Sequence, residues 1–260
     1  MTNIIVVGGG AAGLLAGIAA TELGAQVMIL EKMRTPGRKM LITGKGRCNI
    51  TNNCEIAEII RNLPGNGRFL NSALHRFSND DMIYLLESHG LQTKVERGGR
   101  VFPVTDKAKD VVDTLLNIYR EKGGKLLVDQ TVSKILIEDG CVAGVVTNDG
   151  NKYTADAVII TTGGASYPGT GSDGNGFTLA KACGHTIITL KPSLVPLESD
   201  SEYIKSLQGL SLRNVKASIS CGETVLASEF GEMLFTHFGF SGPIILSLSK
   251  AVAEAFATGN

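Results

Sequence analysis

Residues 4–31 read IIVVGGGAAGLLAGIAATELGAQVMILE, and few backbone arrangements accommodate that order. An apolar run short enough for a buried strand meets three glycines. Small and apolar residues suited to a helix follow, then a second apolar run that ends on an acid. Strand, glycine turn, helix, strand and acid make a βαβ unit of the kind that holds a dinucleotide. In Gly8-x-Gly10-x-x-Gly13, Gly8 permits the tight turn and Gly10 lets backbone approach a pyrophosphate. Gly13 allows the helix to pack close to the strand. Ala11 and Ala12 open that helix, whose free N–H groups and positive dipole end favour phosphate. Glu31 lies 18 residues past Gly13, where a carboxylate accepts hydrogen bonds from ribose hydroxyls and repels a 2′-phosphate. The pattern favours FAD or NAD over NADP. Glycine turns also arise for packing alone, but the flanking strand, helix and acid weigh against that reading here.

The 260 residues suffice for one large domain or two modest ones. Lys+Arg and Asp+Glu balance at 25 each, so bulk charge gives no reason to expect a nucleic-acid or anionic-membrane partner. No apolar run approaches the roughly 18 residues of a spanning helix. The N-terminal apolar stretch lacks a basic flank and is cut at once by glycines, so a signal peptide is not expected. Five cysteines at 48, 54, 141, 183 and 221 form no CxxC pair. Unpaired thiols of that kind suit a reducing cytoplasm better than disulfides or zinc. Histidines 75, 89, 185 and 237 show no metal-ligand spacing. The sequence specifies no oligomeric state.

After Glu31 comes a long glycine-rich polar loop, KMRTPGRKMLITGKGRCNITNN. Amphipathic segments follow at 68–77 and 80–89, the second capped by Asn79 or Asp80. A further helix, AKDVVDTLLNIYREKG, takes Thr105 or Asp106 as its cap and stops at Gly123-Gly124. KLLV (125–128) reads as a buried strand. VSKILIE, CVAGVVT and NKYT, joined by Asp139-Gly140 and Asp149-Gly150, read as a three-stranded antiparallel meander. DAVIITTGG (156–164) is then a strand entering a second glycine turn. The expected fold is α/β: a Rossmann-like domain of the two-dinucleotide type, with a parallel sheet and a β-meander crossover, over residues 1–190. A helical insertion occupies about 55–122. Residues 191–260 read as the start of a β-rich insert domain with one apolar helix at about 244–257, stopped by Ala257 to Asn260.

GRKMLITGKGRCN, GRVFP (99–103), TTGGASYPGTGSDGNGF (161–177), PSLVPL (192–197) and GEMLFTHFGFSGP (231–243) together resemble one bacterial group. These are the BaiN/YhiN-like FAD-binding proteins, also described as NAD(P)/FAD-dependent oxidoreductases or aminoacetone-oxidase-family enzymes. The resemblance runs along essentially the whole chain. It implies an FAD domain split by a β-barrel insert and a small helical subdomain, with flavin chemistry and NAD(P)H as a transient electron donor to a small molecule. Similar proteins continue past residue 260 and return to the FAD domain with Gly-Glu and Asp-Gly elements near the flavin ring. On that reading the chain is a truncated gene or a fragment, and an inactive or regulatory nucleotide-binding fragment is the alternative function. A flavoprotein acting on RNA is a further alternative, which the neutral charge disfavours.

Arg38, Lys39, Lys45 and Arg47 place four cations in ten residues of the loop. Such a loop can fold over a pyrophosphate or can be a solvated basic loop; the resemblance selects the former and implies that Lys32, Arg38, Lys39, Gly46, Arg47, Cys48 and Asn49 lie against the cofactor. A Cys48–Cys54 redox pair is less favoured than a packed thiol. Thr162, Gly163 and Gly164 end a strand at which backbone must pass close to something, and the resemblance implies the adenosine end of FAD. It implies the adenine for Val132, which by sequence alone is a strand residue. Gly169-x-Gly171-x-x-Gly174 repeats the glycine spacing, but without a feeding strand or a following acid it reads as a loop bordering the flavin pocket. SDGNG (172–176) departs from the similar proteins, whose acid is expected where Asn175 stands. His237 reads as structural before catalytic, and Arg100 as either an anion contact or a salt-bridge partner.

Overall fold

The computed structural model describes residues 1–63 and 65–258. Two compact units are present, Met1–Ile187 and Ile188–Asn260. The first begins with β1 (Asn3–Val7), α1 (Ala11–Glu22), β2 (Gln26–Leu30) and α2 (Arg38–Ile42). β3 (Thr51–Asn52), α3 (Ile56–Asn62), α4 (Asn71–Arg76), α5 (Asn79–Ser88), β4 (Thr93–Glu96), β5 (Arg100–Pro103) and α6 (Ala108–Glu121) follow. The unit continues through β6 (Lys125–Leu127), β7 (Val132–Glu138), β8 (Cys141–Thr147), β9 (Lys152–Thr154), β10 (Ala157–Ile160) and α7 (Asn175–Ala182).

The central sheet is parallel with order β10-β1-β2-β6. Its apolar strands are covered on both faces, as parallel sheets require. Val6, Val27 and Ile29 join a core with Leu14 and Ile18 of α1 and Val111, Leu115 and Tyr119 of α6. Ile5, Val7 and Leu30 point the other way, to Ile135 and Val145 of the meander and Leu179 of α7. The run IIVV is therefore split residue by residue between two cores. Because β2 and β6 lie on one side of β1 and β10 on the other, the connection reverses beside β1. In open α/β sheets such a reversal leaves a crevice outside the carboxyl ends of the strands.

The meander β7-β8-β9 forms as its Asp-Gly turns predict, with Asp139 and Gly140 both at positive φ. Other local readings need correction. The loop after Glu31 contains α2 and a 3₁₀ turn, Thr43–Gly46. The stretch read as helical, about 55–122, also holds β4 and β5, which join β3 just before it in a three-stranded antiparallel sheet of order β3-β5-β4. α5 is capped by Ser78 in a capping box with Asp81, while the Asn79 side chain is drawn inward to donate to the carbonyls of Asn52 and Cys54 at 2.9 and 3.0 Å. α6 begins after Lys107 with no side-chain cap, since the Asp106 carboxylate is engaged by Lys94 and Arg47.

The second unit has β11 (Leu197–Glu198), α8 (Glu202–Ser206), β12 (Ser211–Cys221), β13 (Thr224–Thr236), β14 (Gly239–Ser241) and α9 (Pro243–Thr258). Its sheet is antiparallel with order β11-β14-β13-β12. Segments read as two strands, ETVLASE and EMLFTH, are one long β13. It passes α9 at Gly231, where a Cβ would sit 2.9 Å from Ile244 Cγ2. Of the helix stop expected at Ala257 to Asn260, Ala257 and Thr258 belong to α9, and Gly259 and Asn260 lie outside the described residues.

Tyr119 ties α6 to the parallel sheet. Its ring lies where Cβ atoms on Gly17 and Gly124 would come to 2.8 and 2.1 Å, so both neighbours must be glycine for the ring to enter. The fully buried hydroxyl donates toward the carbonyls of Val27 and Lys125, 2.9 and 3.0 Å away. Burial pushes its pKa up to about 12. The folded chain thus holds this proton more tightly than the unfolded chain. That stability is complete below the ordinary tyrosine value near 10 and is lost as pH rises toward about 12. Tyr119→Phe is expected to lower unfolding free energy by about 1–3 kcal/mol at neutral pH and to remove part of the alkaline loss, read by urea unfolding from pH 7 to roughly 11. An unchanged urea midpoint would refute this role.

Candidate functional site

A cavity of about 420 Å³ opens at the carboxyl ends of β1, β2 and β10. Gly8 carries φ +106, and a Cβ there would meet the Thr161 carbonyl oxygen at 2.7 Å. Gly13 is more constrained: a Cβ would lie 1.9 Å from the Gly8 carbonyl oxygen. At Gly10 a Cβ would meet nothing within 4 Å, so this glycine faces open space at the start of α1. No side chain caps that helix and no acid stands in its first turn, which leaves its N–H groups and dipole to whatever enters the cavity.

Glu31 is buried, and its carboxylate accepts from the Gly9 N–H at 2.6 Å and the Met33 N–H at 2.7 Å. Its own carbonyl accepts from Gln130 N, 2.9 Å away. Each carboxylate oxygen retains a lone pair for a further donor such as a sugar hydroxyl. Among the lining residues Glu31 is the sole carboxylate, opposed by Lys32, Arg38 and Lys39. Lys32 pairs with Asp173 at 2.7 Å, and that pairing holds the Asp173 carboxyl below its ordinary range. Lys39 Nζ donates to the Ser166 carbonyl at 2.9 Å. An uncapped helix start, cations and one preorganised acid fit the pyrophosphate and ribose of a dinucleotide.

Of the residues singled out in sequence, Gly8, Gly10, Ala11, Ala12, Glu31 and Lys32 line this cavity, as do Arg38, Lys39, Val132, Thr162 and Gly163. The Val132 carbonyl accepts from Asn175 Nδ2 at 3.0 Å. Gly13 lies behind the wall as a packing residue. Gly164 stands outside the lining set, its carbonyl accepting from Gly174 N at 3.1 Å. Gly46, Arg47, Cys48 and Asn49 are likewise outside it. Arg47 binds Glu96 at 2.8 Å and Asp106 at 3.3 Å and lies 4.1 Å from the centre of the Phe102 ring. The hydrogen bond to Glu96 first, and the attraction of both acids, hold its pKa above the usual value. Asn49 turns its amide nitrogen toward the carbonyls of Thr51 and Val101, 3.1 and 3.2 Å away. The first half of the loop therefore lines the cavity, while GRCN is drawn to the small sheet.

Cys48 is buried at φ +61, and burial pushes its thiol pKa up. Cys48 and Cys54 are both free thiols. Arg100 Nε donates to the Arg97 carbonyl at 3.1 Å. His237 stacks edge-on with Phe238. Among the described residues no cluster of three His, Cys, Asp or Glu is placed to hold a metal. The second glycine loop does border the cavity, through Thr170, Gly171 and Ser172. Thr161, Gln130 and Ser172 also line the cavity, and none of them carries a local motif of its own. Thr161 and Gln130 stand just past the carboxyl ends of β10 and β6, a position that marks ligand-facing residues in such sheets.

The profile described as the HI0933-like protein Rossmann domain matches residues 2–240. The chain belongs to the HI0933-like family. This is a family of FAD-binding Rossmann proteins with oxidoreductase chemistry, in agreement with the motifs after Glu31. The HI0933-like chain is 33% identical over 261 residues to a 3-dehydro-bile acid delta(4,6)-reductase of Clostridium scindens, covering 100% of itself and 62% of that protein. It is 33% identical over 251 residues to a ribosomal RNA dihydrouridine synthase of Haemophilus influenzae, covering 95% of itself and 60% of that protein. The chain thus spans less than two thirds of these relatives. Its fold is similar to that of the open conformation of a flavocytochrome c3 fumarate reductase, with TM-score 0.57 and 21% identity over 82% of this chain and 47% of that one.

Glu31→Gln replaces one acceptor by an NH₂ that must face a backbone N–H, leaving Gly9 or Met33 unsatisfied. The ligand-free chain is expected to lose about 1–3 kcal/mol of stability, measured by denaturant unfolding; no change would mean that the carboxylate does not organise the turn. Alkylation followed by peptide mapping is expected to label the exposed Cys141 and Cys221 well before Cys48, because thiolate and access are both suppressed there. Early labelling of Cys48 would contradict its placement.

Proposed function

We propose that this chain is the dinucleotide-holding part of an FAD-dependent reductase that saturates a carbon–carbon double bond conjugated to a carbonyl in a small molecule, with NAD(P)H as the source of the hydride and solvent as the source of the proton. The observation that carries the reading is the cavity at the sheet's reversal point, where the uncapped start of α1, Arg38 and the anchored Glu31 converge. FAD, when bound, supplies the two-electron chemistry. The chain's own part is binding and orientation. The first-turn N–H groups of α1 and the Arg38 guanidinium would neutralise the pyrophosphate, Glu31 would take ribose hydroxyls, and Val132, Thr162 and Gly163 would complete the lining.

The substrate class draws on the two relatives. A 3-dehydro bile acid with delta(4,6) unsaturation presents alkenes conjugated to a ketone, and dihydrouridine is uridine with its carbonyl-conjugated alkene saturated. One hydride chemistry serves both names. The free cysteines support a reducing compartment, the cytoplasm. A second reading places the acceptor base in RNA, and the dihydrouridine synthase name is what favours it.

Purified chain mixed with FAD and freed of excess is expected to show bands near roughly 370 and 450 nm, characteristic of bound flavin. These bands should bleach with NADH or NADPH and return on adding a small conjugated enone. Recovery with uridine-containing RNA but not with the enone would support the second reading. A colourless chain that takes up no FAD would overturn the proposal for this chain and leave the fragment alternative.

A further inference from the structure

Ser172 is 7% exposed and yet lines the cavity. Among the described residues its hydroxyl makes no hydrogen bond within the chain, and, unlike the enclosed Thr236 Oγ1, it stays accessible at the cavity wall. A hydroxyl at a cavity wall with no partner in the chain is free to donate to a ligand that displaces water there.

Its position is held from several sides. Gly171 at φ +100 and Gly174 at φ +87 fix the turn around it. Gly174 N donates to the Gly164 carbonyl at 3.1 Å. Its neighbour Asp173 is bound by Lys32 at 2.7 Å. Ser172 Oγ lies where a Cβ on Gly163 would approach to 2.6 Å, so the hydroxyl packs against a second residue of the cavity lining. A donor preorganised in this way loses little freedom on binding.

Resting on the FAD reading above, we infer that Ser172 Oγ donates a hydrogen bond to an oxygen of the bound dinucleotide and is a binding residue of the site. A phosphate oxygen and a sugar-chain hydroxyl both offer that acceptor. Ser172→Ala, compared with the unmodified chain, separates the possibilities by titration of FAD, ADP and FMN monitored by flavin fluorescence or calorimetry. Thermal unfolding without ligand is recorded in parallel.

FAD affinity is expected to fall about 3- to 10-fold, the range of one net hydrogen bond, while the ligand-free unfolding midpoint stays unchanged because no intrachain bond is lost. A matching loss for ADP locates the oxygen in the ADP half, and a loss confined to FMN locates it in the flavin half. If the unmodified chain binds FAD and the variant binds it within twofold, the inference fails while the FAD reading stands. A lowered ligand-free midpoint with unaltered FAD affinity would make Ser172 a packing residue and also overturn it. An unmodified chain that binds no FAD overturns the FAD reading itself, and this contact with it.

Discussion

Three chain segments meet with no room for a side chain between them: the end of β1, the first turn of α1 and the end of β10. The Gly13 Cα faces the Gly8 carbonyl so closely that a Cβ would overlap it. Thr161 Oγ1 donates toward the carbonyls of Val7 and Gly8, both at 3.0 Å. This contact sets how far α1 sits from the sheet and therefore where its N-terminus points. The cavity walls, the exposure of Gly10 and the distance to Glu31 all follow from it. Substitution of either glycine would act on the whole crevice, because backbone atoms, which cannot rotate away, form the contact.

Glu31 performs the corresponding service for the second strand. A carboxylate buried beside a cavity is stable only if its charge is met. Here two backbone N–H groups meet it, one from the glycine turn and one from the loop after β2. The same acid that suits a ribose thus also holds the turn in shape before any ligand arrives. Electrostatics on the far side are built differently. Lys32 and Lys39 reach across to the 163–174 loop, so charges of the basic loop close the cavity wall as well as facing its interior.

Where the sequence was readable, physics acted locally. Alternation of IIVV between two cores, the Asp-Gly meander and the amphipathic α6 each follow from near-neighbour patterns. Readings failed where a distant partner intervened. The sequence offers Asn79 as a cap, but its side chain is drawn to carbonyls 25 and 27 residues away, and Ser78 caps instead. The sequence offers Thr105 or Asp106 as the cap of α6, but Asp106 sits in the ion cluster with Lys94 and Arg47. The two-residue β3 and four-residue β5 are too short to show a period, so the sequence carries no signal of the small sheet.

The sequence by itself determined the βαβ unit, the parallel order it implies and the identity of the turn and acid that face the cavity. Glycine spacing and strand periodicity act within a few residues of chain, so they are written in the order of the letters. Tertiary structure alone decided how the basic loop is divided. Arg38 and Lys39 line the cavity, whereas Arg47 is turned to Glu96, Asp106 and the Phe102 face, 49 and 59 residues away from the two acids. It also decided that Ser172, on a loop more than a hundred residues from Gly8, reaches the same space. Equal charges or hydroxyls in one loop carry no local signal of direction; only the partners that the fold brings alongside them choose it.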